Sequence, residues 1–192
     1  MTSPWLVGAD ATRAERLLVY GLGSVVAGTV WWVFLRTQQE WSWWQQLVAA
    51  AIALDLCAGA ISNATNATKA QYRQPTGQAG VGGQASSSGR FGRLARDPLV
   101  FASVHVYPLL IAAIYPGVTW LWGAGWYVAM LVSVAITARL VPKELQRPVA
   151  MALLLCVVVT ANATTGPAGW QWLPYVYFAK LLLGHAVEER SS

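Results

Sequence analysis

The sequence predicts an all-α polytopic membrane protein, one integral membrane domain over 1–192 with six transmembrane helices and both termini cytoplasmic. Three observations predict it. Only 11% of the 192 residues are charged, against about a quarter in soluble domains, and mean hydropathy is positive. Six apolar runs recur along the chain, and the basic residues gather in alternate connections between them. The tryptophans gather in the others.

The runs cover roughly 17–35, 46–64, 98–115, 118–138, 149–165 and 170–187. Each approaches the ~20 residues that a helix needs to cross ~30 Å of hydrocarbon, the last two being the shortest. The first run follows a mixed polar stretch, and no small-residue cleavage site follows it. It therefore reads as its own insertion signal and not as a cleaved leader. With the N-terminus inside, Arg13, Arg16, Lys69, Arg73, Arg90, Arg93, Arg96, Arg139, Lys143, Arg147 and Arg190 all fall on the cytoplasmic side. Arg36 alone falls outside, and Lys180 lies within the sixth run. The basic pI of about 9.5 thus reflects orientation in the cell membrane and carries no nucleic-acid reading.

Ten of the eleven tryptophans, all but Trp5, fall at the outer helix ends, as an anchoring belt at the headgroups requires. The connection from 74 to about 95 is rich in glycine, glutamine and serine and reads as a flexible cytoplasmic loop. It contains no phosphate-loop motif. Cys57 and Cys156 both lie inside helical runs, so neither a disulfide framework nor a metal site is expected, and no cofactor motif is present. The Asn-Ala-Thr triplets fit the glycosylation pattern, but Asn63 and Asn66 fall on the cytoplasmic side.

An internal similarity suggests a three-plus-three inverted repeat. "LDLCAGAISNAT" (54–65) aligns without gaps on "LLLCVVVTANAT" (153–164), matching at six of twelve positions. The alternative is chance in alanine- and leucine-rich text, because the other helix pairs do not align at that offset.

The chemistry concentrates on the second run. Extended past the membrane at 3.6 residues per turn, one line carries Asp55, Gly59, Ser62, Asn66, Lys69 and Arg73, flanked by Asn63. Asp55 is the only acid in any run, and a charge at the bilayer centre costs about 2.5–3.5 kcal/mol on insertion scales. It must therefore pair, change protonation or meet water. Lys180 shares its depth when both are counted from the outer helix ends, and His105 approaches it from the inner end. The structural reading makes Asp55–Lys180 a register pair and His105 a packing residue.

The functional reading is a membrane-embedded enzyme acting on a hydrophobic or amphiphilic small molecule at a cytoplasm-facing site. Asp55 and His105 would be its acid/base groups. Asn63, Asn66, Lys69, Arg73, Tyr177 and Lys180 would bind the substrate. Lipid modification, hydrolysis and isoprenoid cyclisation all fit, cyclisation slightly best. A small proton-coupled transporter is the alternative, with Leu154 where the repeat would need a second acid. A third reading is a non-catalytic subunit that packs through Ser24 and Gly28. The lipid bilayer is the expected partner, and the sequence leaves oligomeric state open.

The topology generates the first prediction. Cysteines engineered into 74–93 should label only from the cytoplasmic side, and those at 165–168 only from outside. Labelling of the 74–93 loop from outside would overturn the orientation.

Overall fold

The computed structural model describes Val7 and residues 11–65, 67–69 and 97–187. Helices account for all the regular structure among them, and no strand occurs. Among the described residues, four helices are long and apolar enough to cross a membrane: α1 (Arg13–Leu35), α2 (Trp43–Ala64), α5 (Trp120–Leu140) and α6 (Lys143–Ala163). Two short helices, α3 (Pro98–Ser103) and α4 (Tyr107–Ile114), stand where the third run was expected to be continuous. The last, α7, begins at Leu173–Phe178 and continues as π-helical turns over Ala179–Ala186.

Helix starts follow from local capping. Thr12 and Glu15 form a reciprocal capping box before α1, and Ser42 and Gln45 form another before α2. The Thr119 hydroxyl accepts from the Trp122 amide to open α5. Helix α6 starts at Lys143, six residues before the apolar run, because "KELQRP" continues the same helix through polar sequence. The fifth run is therefore longer than hydropathy indicates.

Helix α7 is the shortest of the runs, about 21 Å at most by rise per residue. It is also the most enclosed, packing against α2, α3, α5 and α6. Leu173, Tyr177, Phe178, Leu181 and Leu182 are fully buried. A helix that is apolar all round belongs in the centre of a bundle, and there it need not match the bilayer thickness. Helix α1 packs on α2, and α4 packs on α5.

Small residues set the crossings, as expected where apolar surface alone does not drive helices together. A Cβ on Gly23 would stand 2.9 Å from Ala58, so α1 meets α2 through Gly23 and Ala27. Ser24 and Gly28 face outward. Gly123 lets α5 approach the backbone of α4, where a Cβ would come within 2.5 Å of the Pro108 carbonyl oxygen.

The outer ends depart from a uniform tryptophan belt. Trp31, Trp32, Trp43, Trp44 and Trp120 are exposed, as a belt requires. Trp41, Trp170 and Trp172 are instead buried together with Tyr115. Trp41 stacks on Trp170 at 5.5 Å, and Tyr115 meets both. Gly169, at φ +83°, lets the chain turn against the Trp41 ring, where a side chain would collide. This cluster closes the bundle at the end where α2 begins.

At the opposite end Asp97 caps α3 through the Leu99 and Val100 amides and pairs with Arg139 of α5. Burial pushes the Asp97 carboxyl up, but Arg139 and the two amides outweigh it and hold it below the usual carboxylate range. The pair therefore persists into mild acid and lapses only as pH falls through that lowered value.

Gly123→Ala should lower the thermal midpoint in detergent, by about 1–3 kcal/mol of overpacking, because the obstacle is backbone. Gly28→Ala, with open space around it, should leave the midpoint unchanged or slightly raised. Equal midpoints for the two variants would refute the close α4–α5 crossing.

Candidate functional site

Midway along α2, Asp55 pairs with Lys180 of α7. The Nζ···Oδ2 distance is 2.5 Å, and the same ammonium lies 3.4 Å from the Asp55 carbonyl oxygen. The Tyr107 hydroxyl of α4 donates to the same Oδ2 at 2.7 Å. Three helices thus meet on one carboxylate oxygen. Oδ1 takes no hydrogen bond from any described residue.

Glycine makes the pairing possible. A Cβ on Gly59 would stand 2.6 Å from Lys180 Cε and 2.8 Å from Nζ, so the lysine lies in the groove that Gly59 leaves on α2. One turn further, Gly184 makes room for Asn63, whose Nδ2 donates to the Lys180 carbonyl oxygen at 3.3 Å. Lys180 stands in the first turn after α7 becomes π-helical, and such wide turns concentrate at functional sites.

The break between α3 and α4 delivers Tyr107. Ser103 bonds back to the Val100 carbonyl, and β-branched Val104 and Val106 flank His105. Pro108 then falls in the first turn of α4, where its missing N–H costs nothing. Polar side chains satisfy the carbonyls that the break releases. Tyr127 donates to Ser103 O at 2.7 Å, Tyr177 to His105 O at 2.6 Å, and His105 Nδ1–H to Phe101 O at 2.7 Å. The His105 ring lies 5.8 Å from the Tyr107 ring.

The residues expected at the site divide accordingly. Asp55, Lys180 and His105 come together at one depth, as their positions along the runs predict. Tyr177 is fully buried, and its hydroxyl is committed to the break. Asn63 is buried and ties α2 to α7, so both residues brace the packing around the ion pair.

The polar stripe does not continue as one helix. Helix α2 ends at Ala64, and Thr65 is extended, with its hydroxyl bonded to Ser62 O and Thr68 Oγ1. Lys69 lies beyond that bend, in the short helical stretch 67–69, and so leaves the line of Asp55. Asn66 and Arg73 lie outside the described residues, as do the loop 74–95 and Arg190. Gly59 and Ser62 are buried, so the stripe is a packed face between Asp55 and the end of α2.

The open side lies elsewhere. The Asp55 side chain is 40% exposed while that of Lys180 is 5% exposed. Leu47, Ala51 and Leu54 of α2 are exposed, as are Val104 and Val106 in the break and Leu110 of α4. Asp55 is thus partly exposed midway along a membrane-length helix, next to the exposed Leu54. Among the described residues, no group of three or more histidines, cysteines or acids could hold a metal. Tyr107, Tyr127 and Gly59 complete the site. The signal for Tyr107 in the sequence was its place beside Pro108 at the depth of Asp55.

No protein-family model matches the chain, and no curated protein or solved structure matches it.

The pairing can be tested by comparing single and double replacements. Lys180→Ala leaves a carboxylate without its counter-charge and should cost about 3–5 kcal/mol of stability. The joint Asp55→Asn, Lys180→Gln change should cost clearly less by detergent melts or expression. Equal losses would show that the two residues do not depend on each other.

Proposed function

We propose that this chain is a membrane-embedded enzyme that uses Asp55 for acid/base chemistry on a hydrophobic or amphiphilic substrate arriving from the bilayer. The observation that carries the reading is the state of the Asp55 carboxylate. One oxygen is held by Lys180 and Tyr107, the other takes no hydrogen bond from any described residue, and the side chain is 40% exposed. Two donors fix the carboxylate in place, and its remaining lone pairs face the point where a substrate proton would be taken. His105, beyond the Tyr107 ring, is the second proton-handling group of the reading.

The ion pair favours proton abstraction over olefin protonation, since the ammonium keeps the carboxyl ionised and leaves it no proton to give. Removal of a proton from a lipid or isoprenoid substrate fits better than cyclisation initiated by a protonated acid. The active oxygen stands about 14 Å from the end of α2 by helix rise, so the reacting bond lies within the hydrocarbon.

Six passages complete this picture, with α3 and α4 together as the third and α7 as the sixth. Both termini are cytoplasmic in the cell membrane, and the one-sided distribution of arginine and lysine supports the orientation. A proton-coupled transporter is favoured by one feature, the helix broken beside an ion pair at mid-depth. Against it, the buried Trp41–Trp170–Tyr115 cluster fills the end of the bundle where an outer gate would stand. The inverted repeat also lacks equivalent surroundings. Cys57 and Asn63 are buried, whereas Cys156 and Asn162 are exposed.

Asp55→Asn keeps the shape of the side chain and removes the base. Membranes from cells expressing the wild-type protein should contain a lipid or isoprenoid species that falls by roughly two or more orders of magnitude with Asp55→Asn, at equal protein level. Identical lipid profiles in wild-type, Asp55→Asn and empty-vector membranes would remove the enzyme reading.

A further inference from the structure

The enzyme reading leaves the substrate class open, and the unbonded polar atoms at the site narrow it. The narrowing rests on that reading. Tyr107 Oη–H and Lys180 Nζ both spend donors on Asp55, and Lys180 is almost wholly buried. Asp55 Oδ1 remains, and it can only accept. His105 donates Nδ1–H to Phe101 O, which leaves Nε2 of the neutral ring as an acceptor too. A molecule reaching Asp55 therefore meets an accepting oxygen, while the remaining N–H of Lys180 is buried.

Charge narrows the class further. Lys180 already neutralises Asp55, so a cationic ligand would add an uncompensated charge at mid-depth. An anion would set its own lone pairs against Oδ1. Leu54 next to Asp55, and Val104, Val106 and Leu110 on either side of Tyr107 in the chain, are apolar and exposed. We infer that the site takes an uncharged lipophilic alcohol or phenol, entering between α2 and α4, whose hydroxyl donates to Asp55 Oδ1. The hydroxyl gains a charge-assisted hydrogen bond at a depth where it otherwise has no partner.

Three photoreactive probes test this on the full chain in lipid nanodiscs: a diazirine-bearing long-chain alcohol, its methyl ether and its primary ammonium analogue. The alcohol should label peptides containing Leu54, Val104, Val106 or Leu110 about tenfold or more above the ether, the ratio expected for one hydrogen bond to a charged acceptor. The ammonium should label them no better than the ether. In the joint Asp55→Leu, Lys180→Met variant, which removes the acceptor without stranding a charge, the advantage of the alcohol should vanish. Monodisperse gel filtration would establish that this variant is folded.

Equal labelling by alcohol and ether, or strongest labelling by the ammonium, would overturn the assignment. So would labelling confined to other helices. An Asp55-dependent lipid change without preference for the alcohol would remove the alcohol class and leave the enzyme standing. A preference for the alcohol with unchanged lipids would do the reverse, leaving a binding site without chemistry.

Discussion

The Asp55–Lys180 ion pair constrains nearly everything around it. An isolated charge at the bilayer centre costs a few kcal/mol, and two charges brought into contact recover much of that only when the geometry is close. Close geometry here requires the lysine to cross the face of α2, which requires glycine at 59. It also requires α7 to stand at the centre of the bundle, where Lys180 is buried. Tyr107 adds the second donor, and it reaches Asp55 only because the helix carrying it restarts just before Pro108. The break is stable because Tyr127, Tyr177 and His105 bond the carbonyls it exposes. Removing any one of these features leaves a polar group in the bundle without a partner.

The pair itself was legible in the sequence, for a simple reason. Hydrocarbon forbids solitary charges, the runs contain one acid and one lysine, and counting from the helix ends put them at one depth. His105 was legible by the same count, but its immediate role was not. A ring nitrogen that bonds back four residues along its own helix gives no sign in composition. Tyr107 escaped because tyrosine near a helix middle is unremarkable until the Pro108 beside it is understood as a restart. Helix α7 was recognised as a run but not as the core, since burial on all sides and exposure to lipid produce the same apolar text.

The stretch after Asp55 failed for a different reason. Projecting Asn66, Lys69 and Arg73 onto the line of Asp55 assumes that the helix continues. The Asn-Ala-Thr sequence supplies the means to end it: Thr65 and Thr68 hydroxyls bond one another, and Thr65 bonds the Ser62 carbonyl. Short hydroxyl side chains compete with the helical ladder in this way, and helical projection does not count the competition. The second triplet, at 162–164, behaves alike. Asn162 and Thr164 bond carbonyls four residues back, and α6 ends at Ala163. Both segments thus end a helix at their Asn-Ala-Thr triplet, while their surroundings differ.

This difference bears on how the bundle can move. Alternating access asks two comparable halves to rock about a central site, each gating one side. Here the helix that resembles α2 lies largely exposed, and the central helix α7 contacts most of the others. Rocking would have to carry Lys180 past the Gly59 groove and unpack the aromatic cluster at the opposite end from α3 at the same time. Each step uncovers a group whose cost the native packing removes, a charge in one case and a stack of indole rings in the other. A substrate that comes in from the side demands neither. It needs only to displace lipid from the seam beside Tyr107, and the groups that fix Asp55 stay in place while it does so. Under the proposed function, the same rigidity that makes transport expensive holds Asp55 in register with the bond it acts on.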